Sequence, residues 1–463
     1  MSVVLARRRA VSGFTLYDVA NSAFVTTVVT ALGGPFLTAL AEQAAGPDDR
    51  VRLLLLEPRA ASLFAYAVSL SVLLQVVLLP LLGALADRPA AKRRLLVVST
   101  AVGSAATGVL ALVPADAVVA GLLAFVVANV AYGAAILAYN AYLADVAELP
   151  DRHRVSARGF AAGYAGGAFV LAVSLALVTA AEPLGIGRGT AVRLAIGLSG
   201  AWWAGVGVVA VRRLDAVRDL PGYDGSVAHA PLRRQVAASL GQLRGSLRAL
   251  RALPGTARYL LAFLLFNDAV QAVVALSAVF LEQELFVAQG LPREDATPFL
   301  LQLVLLIQVV AVAGAGVSGR LAERFGAART LLGTLVVWVL ILLYAVVALD
   351  STTAAYGLGV AIALVLGGSQ ALARSLFSTM TPAHRQASFF GFYELAERGT
   401  AWIGTLLFAV VLDVTGSYRG ALLSLLALFV AGGALLAATD TDAAVAAARA
   451  AEDESPPVPD RAG

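Results

Sequence analysis

Two short segments place amide and carboxylate side chains inside apolar stretches long enough to cross a membrane. Tyr17-Asp18-Val19-Ala20-Asn21-Ser22 lies near the start of the chain, and Phe266-Asn267-Asp268-Ala269-Val270-Gln271 lies at the matching place in its second half. A charge at a helix centre costs about 2.5 to 3.5 kcal/mol on insertion scales, so such groups persist where a partner, a solute or water compensates them. The chemistry open to them is to hold the polar end of a solute and to pass protons. Counted from a helix entering near Arg258, Asp268 lies about 15 Å deep, close to the midplane, whereas Asp18 lies about one turn in from Gly13. Asp268 is therefore the stronger candidate for coupling, with Asn267 and Gln271 beside it; the competing reading is hydrogen bonding to neighbouring helices. Asp18 and Asn21 share one helix face and suit either a solute pathway or the fastening of one helix to the next.

Further polar residues fall inside later apolar stretches. Glu394 and Arg398 are spaced i to i+4 and can pair, which leaves Glu397 in search of a partner, either a structural ion or a proton or solute site. Gln370 and Arg374 mirror Asn140 in the first half; Arg374 can grip a carboxylate bidentately or simply reach the interface. Asp145 and Glu148 sit near Arg152 and Arg154 and are read as part of a clasp with Arg88 rather than as solute ligands. Tyr17, Tyr139, Tyr164 and Tyr393 are read first as packing or interfacial residues.

Elements that hold such residues must be membrane helices. The chain has 463 residues, of which 59% are hydrophobic and only 14% charged, with a mean hydropathy of +0.82; a soluble core could not hide that much apolar surface. About 20 helical residues cross the hydrocarbon, and this ruler gives twelve spans near 14–41, 60–85, 94–114, 117–147, 157–181, 190–211, 258–282, 297–321, 329–349, 353–379, 387–412 and 418–438. The fold class expected is an all-α membrane protein with two pseudo-symmetric six-helix bundles, 1–212 and 258–438. Most of the 34 basic residues fall in alternate connections, which places both termini in the cytoplasm. Between the bundles, 213–257 carries leucines at intervals of three and four flanked by arginines, which reads as an amphipathic helix on the cytoplasmic leaflet or one packed on the bundle. From Thr439 the chain turns to Ala, Asp, Glu and Pro, and 439–463 is read as a cytoplasmic tail, disordered after a short helical extension.

The halves repeat one another most clearly between their second and third spans. Gly83-Ala-Leu-Ala-Asp87-Arg88, with Lys92, Arg93 and Arg94 following, is matched by Gly319-Arg-Leu-Ala-Glu323-Arg324 with Arg329. A small residue allows close helix approach, the acid suits a neighbouring helix N-terminus, and the arginines can clamp cytoplasmic ends. Together with Asp145, these residues are the expected cytoplasmic gate. The pattern resembles the loop signature of the major facilitator superfamily, Gly-x-x-x-Asp-Arg-x-Gly-x-basic-basic, although Ala90 stands for glycine in the first copy and Glu323 for aspartate in the second. Leu16 to Phe24, Tyr139-Asn140-Ala141-Tyr142-Leu143, Phe266-Asn267-Asp268, Gln370 to Phe377 and Phe389 to Tyr393 resemble the autophagy-related vacuolar amino-acid effluxer-like branch, over about 13–438. That resemblance implies a twelve-helix transporter whose fungal relatives are associated with amino-acid release from the vacuole.

Enzyme and pump signatures are thin. The histidines His153, His229 and His384 have no metal-like spacing, no Gly-Lys-Ser phosphate loop occurs, and there is no cysteine. The expectation is a monomeric secondary transporter of the cell membrane with no cofactor, no metal and no nucleic-acid partner. Its partners are the lipid bilayer, a small solute such as an amino acid, and protons, with export by alternating access. The rivals are an uncoupled facilitator or drug effluxer, and a non-transporting scaffold or sensor, which would be expected to carry a large folded cytoplasmic domain that this chain lacks.

Overall fold

A computed structural model describes residues 3–53, 56–86, 89–147, 152–220, 250–382, 393 and 402–453. The first crossing runs from Val3 to Gln43 and is built of α1 (Val3–Ala23), a π-helical stretch (Phe24–Leu32) and α2 (Gly33–Gln43). The N-terminal half continues with α3 (Leu63–Ala86), α4 (Pro89–Leu112), α5 (Val118–Val146), α6 (Arg152–Thr179) and α7 (Arg188–Leu214). The C-terminal half comprises α8 (Pro254–Leu285), α9 (Ala296–Phe325), α10 (Ala327–Val347), α11 (Thr352–Thr379), α12 (Trp402–Thr415), α13 (Tyr418–Ser424) and α14 (Leu426–Ala437), followed by α15 (Thr441–Asp453). Among the described residues, eleven stretches are long and apolar enough to cross a membrane, and α12 is a shorter apolar helix within the remaining expected span. The all-α architecture thus holds, and the described residues agree with the expected twelve spans to within the one that α12 fills only in part.

Two boundaries differ from expectation. Helix α1 begins at Val3 rather than near 14, because Ala6 and Ala10 are fully buried and Gly13 lies against the end of α7, where Arg213 Nη1 donates to Ser12 Oγ at 2.7 Å. The helical extension expected in the tail runs over Thr441–Asp453, longer than the short one expected: Ala444 and Ala448 are buried, and Ala444 packs on Gly255 at the start of α8. Residues 454–463, and nearly all of the amphipathic segment expected in 213–257, lie outside the described residues.

Side-chain packing inside each half is dense and aromatic. Trp203 is fully buried, 5.4 Å from Phe24, and Trp338 stacks on Phe429 at 5.6 Å. Between halves, α3 packs on α12 and α6 on α9. The π-helical stretch is the main irregularity: Gly33 N–H reaches back to Val28 O, and Pro35, which has no N–H, follows two residues later. Such wide turns loosen the regular ladder and recur at functional sites. The end away from the basic α3–α4 and α9–α10 connections is called the outer end below.

Candidate functional site

The π-helical stretch borders a cavity of about 290 Å³ between the two halves, the size of a small-ligand pocket. Its N-terminal wall presents Asp18, Asn21, Ser22, Thr26 and Thr30 from the first crossing, with Tyr132 and Tyr164. The opposite wall is apolar, formed by Val273, Val274, Leu281, Leu300, Leu303 and Ile307, and interrupted by Ser277 and Gln308. Asp18 Oδ2 accepts a hydrogen bond from Tyr139 OH at 2.8 Å, and Tyr139 is itself fixed by stacking on Phe14 at 4.3 Å. Asn21 is 3% exposed and its Nδ2 has no partner. Asp18 is the one formal charge among the described lining residues. The wall can therefore take an ammonium at Asp18, and the enclosed Asn21 Nδ2 lacks the acceptor that a small turn of its side chain towards the cavity would let a bound oxygen supply.

Asp268 does not line this cavity. It is 1% exposed, its Oδ2 accepts the Gly404 N–H of α12 at 2.7 Å, and its Oδ1 has no partner. Pseudo-symmetry explains the placement. A Cβ on Gly166 of α6 would lie 3.0 Å from Val19 O, and one on Gly404 would lie 3.2 Å from Asp268 O. Asp268 is thus the counterpart of Val19, the position that faces a closely packed neighbour, whereas Asn267 is the counterpart of Asp18. Asn267 is buried and Gln271 half-buried. A position counted along the helix axis does not fix the face on which the side chain stands.

At the basic end, the expected clasp is resolved in part. Lys92 Nζ lies 2.5 Å from Asp145 Oδ2, joining α4 to α5, and Arg93 pairs bidentately with Asp215 at 2.6 and 3.0 Å, joining α4 to the turn after α7. Asp145 is therefore partnered by Lys92; Asp87 and Arg88 lie outside the described residues, and Gly83 is described only by its place in α3. In the second copy, Glu323, Arg324 and Arg329 are exposed and form no ion pair among the described residues, Arg324 lying over the Phe325 ring at 5.3 Å. Gly319, beside Glu323 on α9, has open space where a Cβ would stand. Asn140 and Arg374 are exposed and Gln370 half-buried. Glu394, Glu397 and Arg398 lie outside the described residues.

The bonds that cross between the halves gather towards the outer end. Arg59 N donates to Asp413 Oδ1 at 2.6 Å and Arg59 Nε to Asp413 O at 2.8 Å. Arg293 Nη2 donates to Glu42 Oε2 at 2.5 Å and Gln283 Nε2 to Glu42 Oε1 at 3.1 Å, while Arg188 pairs with Asp295. Deeper in, Ser69 Oγ donates to Trp402 O at 3.0 Å. At the basic end, the Lys92–Asp145, Arg93–Asp215 and Arg213–Ser12 bonds each stay within the N-terminal half. These outer residues were missed as a site, although the acids flanking the few outer arginines were visible in the sequence. The cavity threonines, Ser277 and Gln308 gave no comparable signal, since a small hydroxyl or lone amide in an apolar helix is ordinary.

Two helical bundles meeting around a solute-sized cavity define a membrane transporter of the major facilitator type. The chain belongs to the family described as "Vacuole effluxer Atg22 like", whose model matches residues 6–449. It is 28% identical over 428 residues to the uncharacterized MFS-type transporter YxiO of Bacillus subtilis, covering 92% of this chain and 94% of that protein. It is 24% identical to autophagy-related protein 22-2 of Emericella nidulans, covering 89% and 87%. Among solved structures, a bacterial homologue of the iron transporter ferroportin in an inward-facing state superposes with a TM-score of 0.64 at 14% identity, covering 95% of this chain and 99% of that one. The inward-open xylose transporter XylE from E. coli gives 0.61 at 12%, covering 97% and 100%. At these identities the structural likeness speaks to the fold.

Proposed function

We propose that this protein is a secondary transporter that exports a small zwitterionic or amphiphilic solute, an amino acid being the best fit, by rocking its two bundles about the central cavity, with transport linked to protons. The observation that carries this reading is the pairing of Asp18 with the unpartnered amide of Asn21 on one cavity wall, facing an apolar wall across the gap. The ammonium of the solute sits at Asp18, its carboxylate takes the Asn21 Nδ2–H, and its side chain lies against Val273, Leu300 and Leu303. With the outer end bonded shut, the conformation is inward-facing, and both termini lie in the cytoplasm by the distribution of basic residues. The apolar facing wall favours branched or aromatic side chains over charged ones.

Purified protein should gain thermal stability in proportion to ln(1 + [L]/Kd) with apolar amino acids, and the same solutes should drive saturable counterflow in proteoliposomes. Absence of both responses across the amino acids, with a shift from non-zwitterionic drugs instead, would replace this reading with drug efflux. In the same liposomes, unchanged proton flux in Asp268→Asn would assign Asp268 a purely structural role at Gly404.

A further inference from the structure

We propose that the outer seal is itself a proton-binding site, in which Glu282 takes a proton as the outer end closes. This rests on the rocking motion proposed above but not on the identity of the solute. Two carboxylates here share one guanidinium. Arg293 Nη2 lies 2.5 Å from Glu42 Oε2, whereas its Nε stands 3.9 Å from Glu282 Oε1 and its Nη1, buried without a partner, reaches neither acid. Glu282 is 2% exposed, and its Oε2 has no partner at all. The other charged groups nearby offer no relief. Glu284, two residues further along α8, has Arg419 to itself at 2.6 Å, and that arginine spends its remaining donors on Val346 O and Leu349 O at 2.9 and 3.0 Å. Tyr418 of α13 adds a buried hydroxyl without a partner, and Asp49, from the loop after α2, adds a further acid near it. A buried carboxylate with no donor on one oxygen is far costlier than the neutral acid.

The division of these residues between halves makes the site a switch. Arg293 and Glu282 both belong to the C-terminal half, and Glu42 belongs to the N-terminal half. When the outer end is open, Glu282 has Arg293 and water. When it closes, Glu42 arrives, draws the guanidinium to itself through Nη2 so that no Arg293 N–H stays within hydrogen-bond reach of Glu282, and leaves Glu282 to be neutralised by a proton from the outer solution, which binds its carboxylate as O–H. Reopening withdraws Glu42, returns Arg293 to Glu282 and releases the proton to the same side. The closed state binds one proton more than the open state, so acid favours closure, by up to tenfold in the closed-to-open ratio per pH unit.

Because the chain has no cysteine, spin labels at Leu184→Cys and Asp350→Cys, on exposed outer connections of the two halves, report the outer-end separation without background. Pulsed electron–electron distance measurements in nanodiscs between pH 8 and pH 5 should show the short-distance population rising as pH falls. In Glu282→Gln that population should be high and independent of pH. Glu42→Gln, which leaves one carboxylate for one guanidinium, should also lose the pH response and serves as the deciding variant if Glu282→Gln fails to fold. A parent distribution that does not move with pH, or a variant that follows the parent, overturns the proposal. Neither outcome bears on which solute the cavity binds.

Discussion

Replacing Asp18 with Asn is expected to cut saturable amino-acid counterflow by about 10- to 100-fold, because the variant loses a charge-assisted bond of about 1.5 to 3 kcal/mol to the solute ammonium. The substitution is nearly isosteric, and the Asn carbonyl still accepts the Tyr139 hydroxyl that now bonds Asp18 at 2.8 Å, so the helix packing survives. The loss should be selective. For an analogue in which a hydroxyl replaces the ammonium, parent and variant should differ by only a few fold, and that difference of differences isolates the charge pair. An equal loss for both solutes would show that Asp18 acts on the protein's shape and not on the solute.

Joining Arg59→Cys to Asp413→Cys as a disulfide is expected to reduce counterflow to the level of protein-free liposomes, with recovery on reduction. The two residues are in direct contact, Arg59 N lying 2.6 Å from Asp413 Oδ1 and Arg59 Nε 2.8 Å from Asp413 O. The two positions sit on opposite halves at the outer end, so the bond ties the halves there while leaving the basic end free. The reduced double variant lacks both Arg59–Asp413 bonds and gives the reference rate, separating the covalent lock from the loss of the native pairing. Oxidised protein that transports as fast as reduced protein would mean that the outer end does not part during the cycle.

Length and hydropathy made the spans legible, and the repeated Gly-to-acid segments made the duplication legible, because both are properties of residues close in sequence. The faces of helices were harder. Asp18 and Asn21, three residues apart, were read as one face and do share the cavity wall. The direction of Asp268 depends on a one-residue register set by Gly404 on a distant helix, and nothing local in Asn267-Asp268 distinguishes the two positions. The outer seal is less legible still, since Glu42, Arg59, Glu282, Arg293 and Asp413 come from five separate segments and look, in sequence, like ordinary charged span ends. The π-helical stretch left only the trace Gly33-Gly34-Pro35, which also fits a simple bend.

Access to the cavity from both sides of the membrane is the central claim, and a single cysteine at Ser277, on the cavity wall, measures it directly. In sealed vesicles of each orientation, a membrane-impermeant maleimide should label Ser277→Cys from the basic end and, separately, from the outer end. Where the Arg59–Asp413 lock is formed before Ser277→Cys is exposed to reagent, outer labelling should vanish while labelling from the basic end persists. Labelling from one side alone in every condition, or outer labelling undiminished by the lock, would contradict alternating access in this protein.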